Sequence, residues 1–318
     1  MHLTRPFVPV PRPQATWLSV VASLTIALLA AGFCADLHWG FELACHWRMQ
    51  AVVVLGLLGG LLVGCGARRR GLTCLLIALA GGLTLGRVRP DPPLPRAGTP
   101  WRLAAVNVLS SNRDHRAAER WLDEDHPDVV VALEVTPAWS RLFARFPHQV
   151  VVPREDNFGI GVGSRLPLRQ SRVIDLPGAI PALLVELETQ SGRSCHLLAI
   201  HPVPPLTNAL VERRDQQFAH LATVIREISG PLIVAGDFNA TPWSPPIQQL
   251  RQKTGLTVSQ SGCIPRPTWS PVGPHWLGLP IDHVLVSPGL TVIDSRVGPD
   301  VGSDHLPVIV DVDFTVAR

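Results

Sequence analysis

Charge is absent from residues 17–35 and 49–67, two stretches of 19 residues each, and from the 16 residues 71–86. A helix rises 1.5 Å per residue, so about 20 apolar residues are needed to cross ~30 Å of hydrocarbon, within a range of ~17–25. The pattern predicts a membrane anchor over residues 1–86 with transmembrane helices at about 17–35, 49–67 and 71–86, the third at the short limit. A buried hairpin in a soluble core is the competing reading, but no other part of the chain is apolar enough to cover all three.

Charge also divides the chain. Residues 1–100 carry nine arginines against Asp36, Glu42 and Asp91, a net of +6, whereas residues 101–318 carry 19 basic and 22 acidic residues, a net of −3. Arg5 and Arg12 precede the first run, and Arg68, Arg69 and Arg70 separate the second from the third. The positive-inside rule then places the N-terminus and that triple-arginine turn in the cytoplasm. Three crossings make this a multi-pass protein of the cell membrane whose residues 87–318, the catalytic domain among them, are extracytoplasmic. A signal peptide ending near residues 30–32 is the alternative for the first run. Gly56, Gly60 and Gly64, and likewise Ala78, Gly82 and Gly86, recur every four residues, a spacing that lets helix backbones approach closely in lipid.

Five prolines in residues 87–100 make an extended linker, at ~3.1 Å per residue a stalk of up to roughly 40 Å. Six cysteines show no CxxC or zinc spacing. A Cys195–Cys263 bridge is one reading and buried free thiols the preferred one.

From Trp101 the chain reads as short apolar strands bounded by turn residues: 102–109, 129–134, 149–152, 159–164, 182–188, 195–200, 232–235, 283–286 and 308–312. Helical periodicity occupies 116–125, 137–146 and 208–228. Strands that are apolar throughout are buried on both faces, so an α/β arrangement of two packed sheets covered by helices is expected. Polar residues fall at the strand ends. Asn107 lies in AAVNVLS, Glu134 in VVVALEV and His201 in LLAIHP; Asp237 and Asn239 lie in LIVAGDFNATPW, Asp282 and His283 in IDHVLVS, and Asp304 and His305 in GSDHLPVIV. Any one of them is explained as a turn former. An unpaired carboxylate such as Glu134 beside a buried strand is costly, and the joint pattern points to one converging rim.

GDFNATPW with SDHLPV about 65 residues later, an IDH between them and a strand-borne Asn and strand-final Glu before them, resembles the endonuclease/exonuclease/phosphatase superfamily of DNases, abasic-site endonucleases, sphingomyelinases and inositol-polyphosphate phosphatases. The resemblance spans about residues 101–316. It implies a four-layer α/β sandwich, two mixed β-sheets flanked by helices, preceded in this chain by the three-helix transmembrane region. It also implies a metal-dependent phosphoesterase that uses Mg²⁺, with Mn²⁺ as substitute.

By the same resemblance Glu134 matches the principal metal carboxylate, Asn107 a neutral oxygen near the metal and Asp304 an acid beside it. Asp237 matches the acid that orients or deprotonates water, Asn239 a phosphate hydrogen-bonder, and His305 the histidine facing the scissile phosphate, oriented by Asp282. His201 lies where DNases and sphingomyelinases carry a second histidine. Abasic-site endonucleases carry a tyrosine on that segment, and this sequence has no tyrosine. The glycines of 159–165 read as structural, Trp243 and Trp269 as core packing ahead of substrate contact, and His283 as a structural residue on the face opposite Asp282.

The substrate stays open among nucleic acid, a phospholipid headgroup and a small phosphoester, with the lipid bilayer as the other partner and no protein partner. A net of −3 disfavours nucleic acid unless Arg113, Arg116, Arg213 and Arg214 cluster. A catalytically silent domain that binds a phosphorylated ligand, and a helical bundle that acts as a channel or sensor, are the competing functions. Against the first stands the full set of acids and His305; against the second, the absence of charge inside the apolar runs.

Overall fold

The computed structural model describes residues 13–85, 99–260 and 266–315. Arg5, Arg12, Gly86, most of the proline-rich linker and Cys263 lie outside the described residues. The chain divides into two compact units, Met1–Gly86 and Arg87–Arg318.

The first unit holds α1 (Pro13–Phe33), α2 (Trp39–His46), α3 (Arg48–Gly64) and α4 (Arg68–Thr84). All three apolar runs are helical, yet the expected three spans reduce to one. Among the described residues, Gln14–Phe33 is the one helix long and apolar enough to cross a bilayer, or one of two spans if α2 and α3, bent by 60°, cross together. Length and charge are the reason: α3 and α4 have 17 residues each, and α4 begins on Arg68, Arg69 and Arg70.

The interior of this unit is built from Ala22, Leu29, Ala51, Leu55, Leu58, Leu62, Cys74 and Ala78. Its outer surface is apolar as well, with Trp17, Leu24, Leu57, Leu61, Leu76, Leu79 and Leu83 exposed. Helices apolar all round belong in a large core or in lipid. The close helix contact falls on other glycines than the four-residue spacing suggested. A Cβ on Gly71 would lie 2.6 Å from the Gly59 carbonyl oxygen, whereas Gly56, Gly60 and Gly64 face open space. The row Leu55–Leu58–Leu62 turns inward and carries Gly59 with it, so the other three glycines turn out. Buried Arg48 donates to Thr84 Oγ1 at 2.7 Å and lies 4.0 Å over the Phe33 ring, joining α1, α3 and α4.

The second unit contains, in order, β1 (Trp101–Asn107), α5 (Arg116–Asp125), β2 (Val129–Leu133), a 3-10 helix (Trp139–Arg145), β3 (His148–Val152), β4 (Ile160–Ser164), β5 (Leu168–Leu176), β6 (Ile180–Glu188), β7 (Ser194–Ile200), α6 (Asn208–Glu227), β8 (Leu232–Asp237), α7 (Pro245–Thr254), β9 (Thr257–Val258), β10 (Asp282–Val286), β11 (Leu290–Val297) and β12 (Val308–Phe314). The strands form two six-stranded sheets, ordered β11-β12-β1-β2-β4-β3 and β5-β6-β7-β8-β10-β9. Both are mixed, because β1–β2 and β7–β8 run parallel within otherwise antiparallel sheets.

Three apolar layers fix the order of packing. Leu103, Val131, Val310 and Val162 of the first sheet meet Val185, Leu197, Ile233 and Val284 of the second. Outside the first sheet, Val130 and Ile309 pack with Trp121 of α5 and Phe143 of the 3-10 helix. Outside the second, Leu198 and Val234 pack with Phe218 and Leu221 of α6 and Ile247 of α7. Helices, sheet, sheet and helices make the four-layer sandwich the sequence implied. Gly161 and Gly163 of β4 leave room for Phe143 and Phe146, the structural role expected of them. Cys195 is a buried free thiol, pushed up to about 12 by burial.

The glycine in GDFN has a backbone reason. Gly236 has φ +147°, and a Cβ there would stand 2.0 Å from the Ile200 carbonyl oxygen of the neighbouring parallel strand. Gly236→Ala is expected to destabilise this unit by about 3–5 kcal/mol, through strain and forced separation of β7 from β8. Thermal unfolding checks it, and an unchanged midpoint would contradict this account of the motif.

Candidate active site

Strand register gathers the polar strand ends. β1 and β2 run parallel with Asn107 opposite Leu133, so Glu134, one residue on, emerges beside Asn107. β7 and β8 run parallel with Ile200 opposite Gly236, which sets His201 beside Asp237. β8 and β10 run antiparallel with Asp237 opposite Asp282. His305 arrives from the segment before β12, which pairs with β1.

Hydrogen bonds join these ends across the two sheets. Asn107 Nδ2 donates to Glu134 Oε1 at 3.0 Å and to Asp237 Oδ2 at 3.3 Å, while Asn107 Oδ1 accepts from the Leu109 amide at 3.0 Å. Glu134 Oε2 accepts from the Ser110 amide at 2.9 Å. His305 Nδ1 and Asp282 Oδ2 are 2.9 Å apart. The other imidazole nitrogen, Nε2, points inward, 3.7 Å from Asp237 Oδ2 and 4.0 Å from Asp304 Oδ1. His201 Nε2 lies 3.5 Å from the same Asp237 oxygen. Asn239 donates its backbone N–H to Asp237 Oδ1 at 2.8 Å and its Nδ2 to the Pro202 carbonyl at 3.0 Å. All eight residues singled out in the sequence therefore belong to one linked group. Glu134 and Asn239 hold left-handed backbones at φ +58° and +49°, strain of the kind that persists where surroundings over-determine it.

Electrostatics polarise this cluster. Burial disfavours charge on His305, but Asp282 and Asp237 outweigh it and raise the imidazole to about 9. Burial likewise opposes ionisation of Asp237, yet His305 and His201 overcome it and hold the carboxyl at about 2. Burial, with the charge of Asp237, raises Asp282 above the usual carboxylate value against the pull of His305.

Asp237, Asp282 and His305 have ligand atoms within 4.8 Å of one another, a spacing compatible with a metal ion. His305 Nδ1 is engaged by Asp282, so within that trio only Nε2 of the imidazole faces the site. Carboxylate oxygens are the donors a hard divalent cation takes, and Glu134, Asp237 and Asp304 bring them to this cluster. Four carboxylates gather around His305 and the Asn107 amide, and Oδ1 of Asp304 is buried without a hydrogen-bond partner. That excess of negative charge is what a cation would offset.

Several residues of the site were not assigned to it from the sequence. Trp269, expected in the core, is partly exposed; its indole Nε1 donates to Asp304 Oδ2 at 2.9 Å and it forms a β-bridge with His305. Thr268 Oγ1 accepts from the Asp282 amide at 3.2 Å. Ser303 Oγ donates to the Asn107 carbonyl at 2.7 Å and accepts from the His305 amide at 3.0 Å. Only the position of Trp269 beside the motif segments hinted at any of these. Arg214 takes no part in a basic surface, because it is fully buried and bonded to Asp215.

His283 is structural, as its alternation with Asp282 indicated. Its Nε2 lies 2.8 Å from the Ala240 carbonyl and its ring stands edge-on to Phe238. Burial lowers its pKa from 6.5 to about 4. Between those values the unfolded chain binds a proton that the fold refuses, so stability is full above pH 6.5 and falls as pH drops toward 4. The loss amounts to about 3 kcal/mol. His283→Gln keeps a donor for Ala240 and has no proton to gain. Its acid unfolding should lack that slope, and equal pH dependence in both proteins would contradict the assignment.

Residues 104–305, more than half of the chain, match the profile of the Endonuclease/Exonuclease/phosphatase family. The chain belongs to that family. Among curated relatives, a UPF0294 protein of Vibrio parahaemolyticus is 28% identical over 133 residues, 41% of this chain and 43% of its own length. A UPF0294 protein of Vibrio campbellii is 29% identical over 136 residues, with the same coverage. The chain thus spans less than half the length of these relatives.

Solved structures share the fold. An endonuclease/exonuclease/phosphatase from Beutenbergia cavernae superposes with a TM-score of 0.56 at 22% identity, over 69% of this chain and 72% of that one. The human Nocturnin catalytic domain, solved with a bound sulfate anion, gives 0.55 at 20%, over 71% of this chain and 100% of its own. The 3′ phosphatase NExo from Neisseria, bound to a product DNA hairpin, gives 0.54 at 21%, over 67% and 100%.

Proposed function

We propose that this protein is a membrane-anchored, Mg²⁺-dependent phosphoesterase that hydrolyses a phosphodiester or phosphomonoester by attack of water at phosphorus. The observation that carries the reading is the convergence of Glu134, Asp237, Asp282, Asp304 and His305 on one linked centre in a fold shared with phosphoesterases.

Glu134 would hold the cation, with Asp304 beside it and Asn107 near enough to set the angle of both Glu134 and Asp237. When bound, the metal supplies charge neutralisation at a phosphate oxygen. Asp237, ionised at any physiological pH, accepts the proton of the attacking water. His305, kept protonated by Asp282, presents Nε2–H to the phosphoryl oxygen on which charge develops. Asn239 hydrogen-bonds the phosphate and His201 protonates the leaving oxygen as the P–O bond breaks. A phosphate-binding domain without turnover is the other reading, but binding alone has no use for a water-activating acid beside an oriented imidazolium. Turnover of a soluble phosphodiester and a phosphomonoester by the full chain with Mg²⁺ separates the two. Product from either supports hydrolysis; ligand binding with no product from any ester would favour the silent domain.

The anchor is α1, with the apolar outer faces of α3 and α4 against lipid. With α1 as the single crossing, the catalytic unit lies on the side of the membrane opposite the N-terminus. A reporter fused after Arg318 that works only in the cytoplasm would overturn that orientation.

A further inference from the structure

Among the described residues of the catalytic unit, the large exposed apolar side chains are Val173, Leu206, Val272, Trp276 and Leu277. Four of these five sit on two loops that leave directly from site residues. The first loop follows His201 and is tied down where Asn239 Nδ2 donates to the Pro202 carbonyl. It presents Leu206 at 65% exposure. The second is an excursion between Trp269 and Leu279, which pair with each other as Trp269 pairs with His305. It presents Val272 at 85% and Trp276 at 72% exposure, with Leu277 beside them.

Neither loop carries charge: residues 202–211 and 267–281 contain no Asp, Glu, Lys or Arg. A nucleic-acid groove needs cations along the phosphate path, because phosphate contacts dominate its affinity. Apolar side chains held out in water beside a phosphate-handling centre need a partner with a polar phosphoester joined to a hydrocarbon phase. An indole and aliphatic tips suit the boundary between headgroups and acyl chains.

We infer that the two uncharged loops bearing Leu206, Val272, Trp276 and Leu277 dip into a lipid surface, and that the substrate is the headgroup phosphoester of an amphiphile lying in that surface. The inference rests on the phosphoesterase reading and names its substrate class. The reaction stays hydrolytic: water adds to phosphorus, the bond to one alcohol oxygen breaks, and that oxygen leaves with a proton.

The test uses the full chain in detergent with Mg²⁺ and compares two substrates. One is bis(p-nitrophenyl) phosphate in solution; the other is mixed micelles of phosphatidylcholine, phosphatidylethanolamine and phosphatidylglycerol. The variant Leu206→Ser/Val272→Ser/Trp276→Ser changes only exposed side chains. Its rate on the soluble ester should stay within about twofold of wild type, which also reports folding, while phospholipid turnover falls at least tenfold. Soluble-ester turnover without any phospholipid turnover, or phospholipid turnover indifferent to the three serines, would overturn this inference and leave the phosphoesterase reading standing. Turnover of neither substrate by wild type would defeat both.

Discussion

His305→Ala is expected to lower the rate of phosphoester hydrolysis about 10³-fold while leaving the fold intact. The imidazole sits in a polar cluster, with Asp282 on Nδ1 and Nε2 facing Asp237 and Asp304, so it does not hold apolar layers together. Its loss removes a charged donor aimed at developing charge, a contribution of about 10²–10³-fold in related chemistry. It also leaves Asp282 buried beside Asp237 with no cation between them. The expectation is a fall in kcat with little change in KM, because the contact forms in the transition state. An equal rise in KM with kcat preserved would make His305 a ground-state binding residue instead.

Glu134→Gln should act through the metal. The carboxylate is fixed at both oxygens, by Asn107 Nδ2 and by the Ser110 amide, so its direction is set before any cation arrives. Glutamine keeps the size and loses the charge. The Mg²⁺ concentration for half-maximal activity should rise at least 10–100-fold, the range seen when even supporting residues of metal sites are lost. Calorimetric titration of Mg²⁺ into wild type and variant measures this without relying on turnover. Equal affinities would move the cation to Asp237 and Asp304.

Much of the site was legible in the sequence because its parts are strand ends, and apolar strands announce where they end. Asn107, Glu134, His201, Asp237 and Asp282 each close or open a buried strand, and register alone brings them together. Trp269, Thr268 and Ser303 were not legible, because they act from loops through backbone and indole hydrogen bonds that leave no spacing behind. The fold follows the same division. Central strands were recognised from continuous apolar runs, whereas β5, β9 and β11, and the helix α7, were missed. The three strands lie at sheet edges; β5 (LRQSRVIDL) is largely exposed and β11 (LTVIDSRV) mostly half-buried, so neither carries a buried-strand pattern, and β9 is two residues long. In the helical unit, apolar length fixed helix existence. It overstated span number, because the turn at Cys65–Ala67 and three arginines inside α4 shorten the apolar helices.

The most direct measurement is turnover of a soluble phosphodiester by the full chain, stripped with chelator and then restored with Mg²⁺ or Mn²⁺, with His305→Ala carried alongside. The account predicts no product after stripping, recovery on adding metal, and no recovery in the variant. Turnover that survives chelation, or that His305→Ala leaves unchanged, would contradict it.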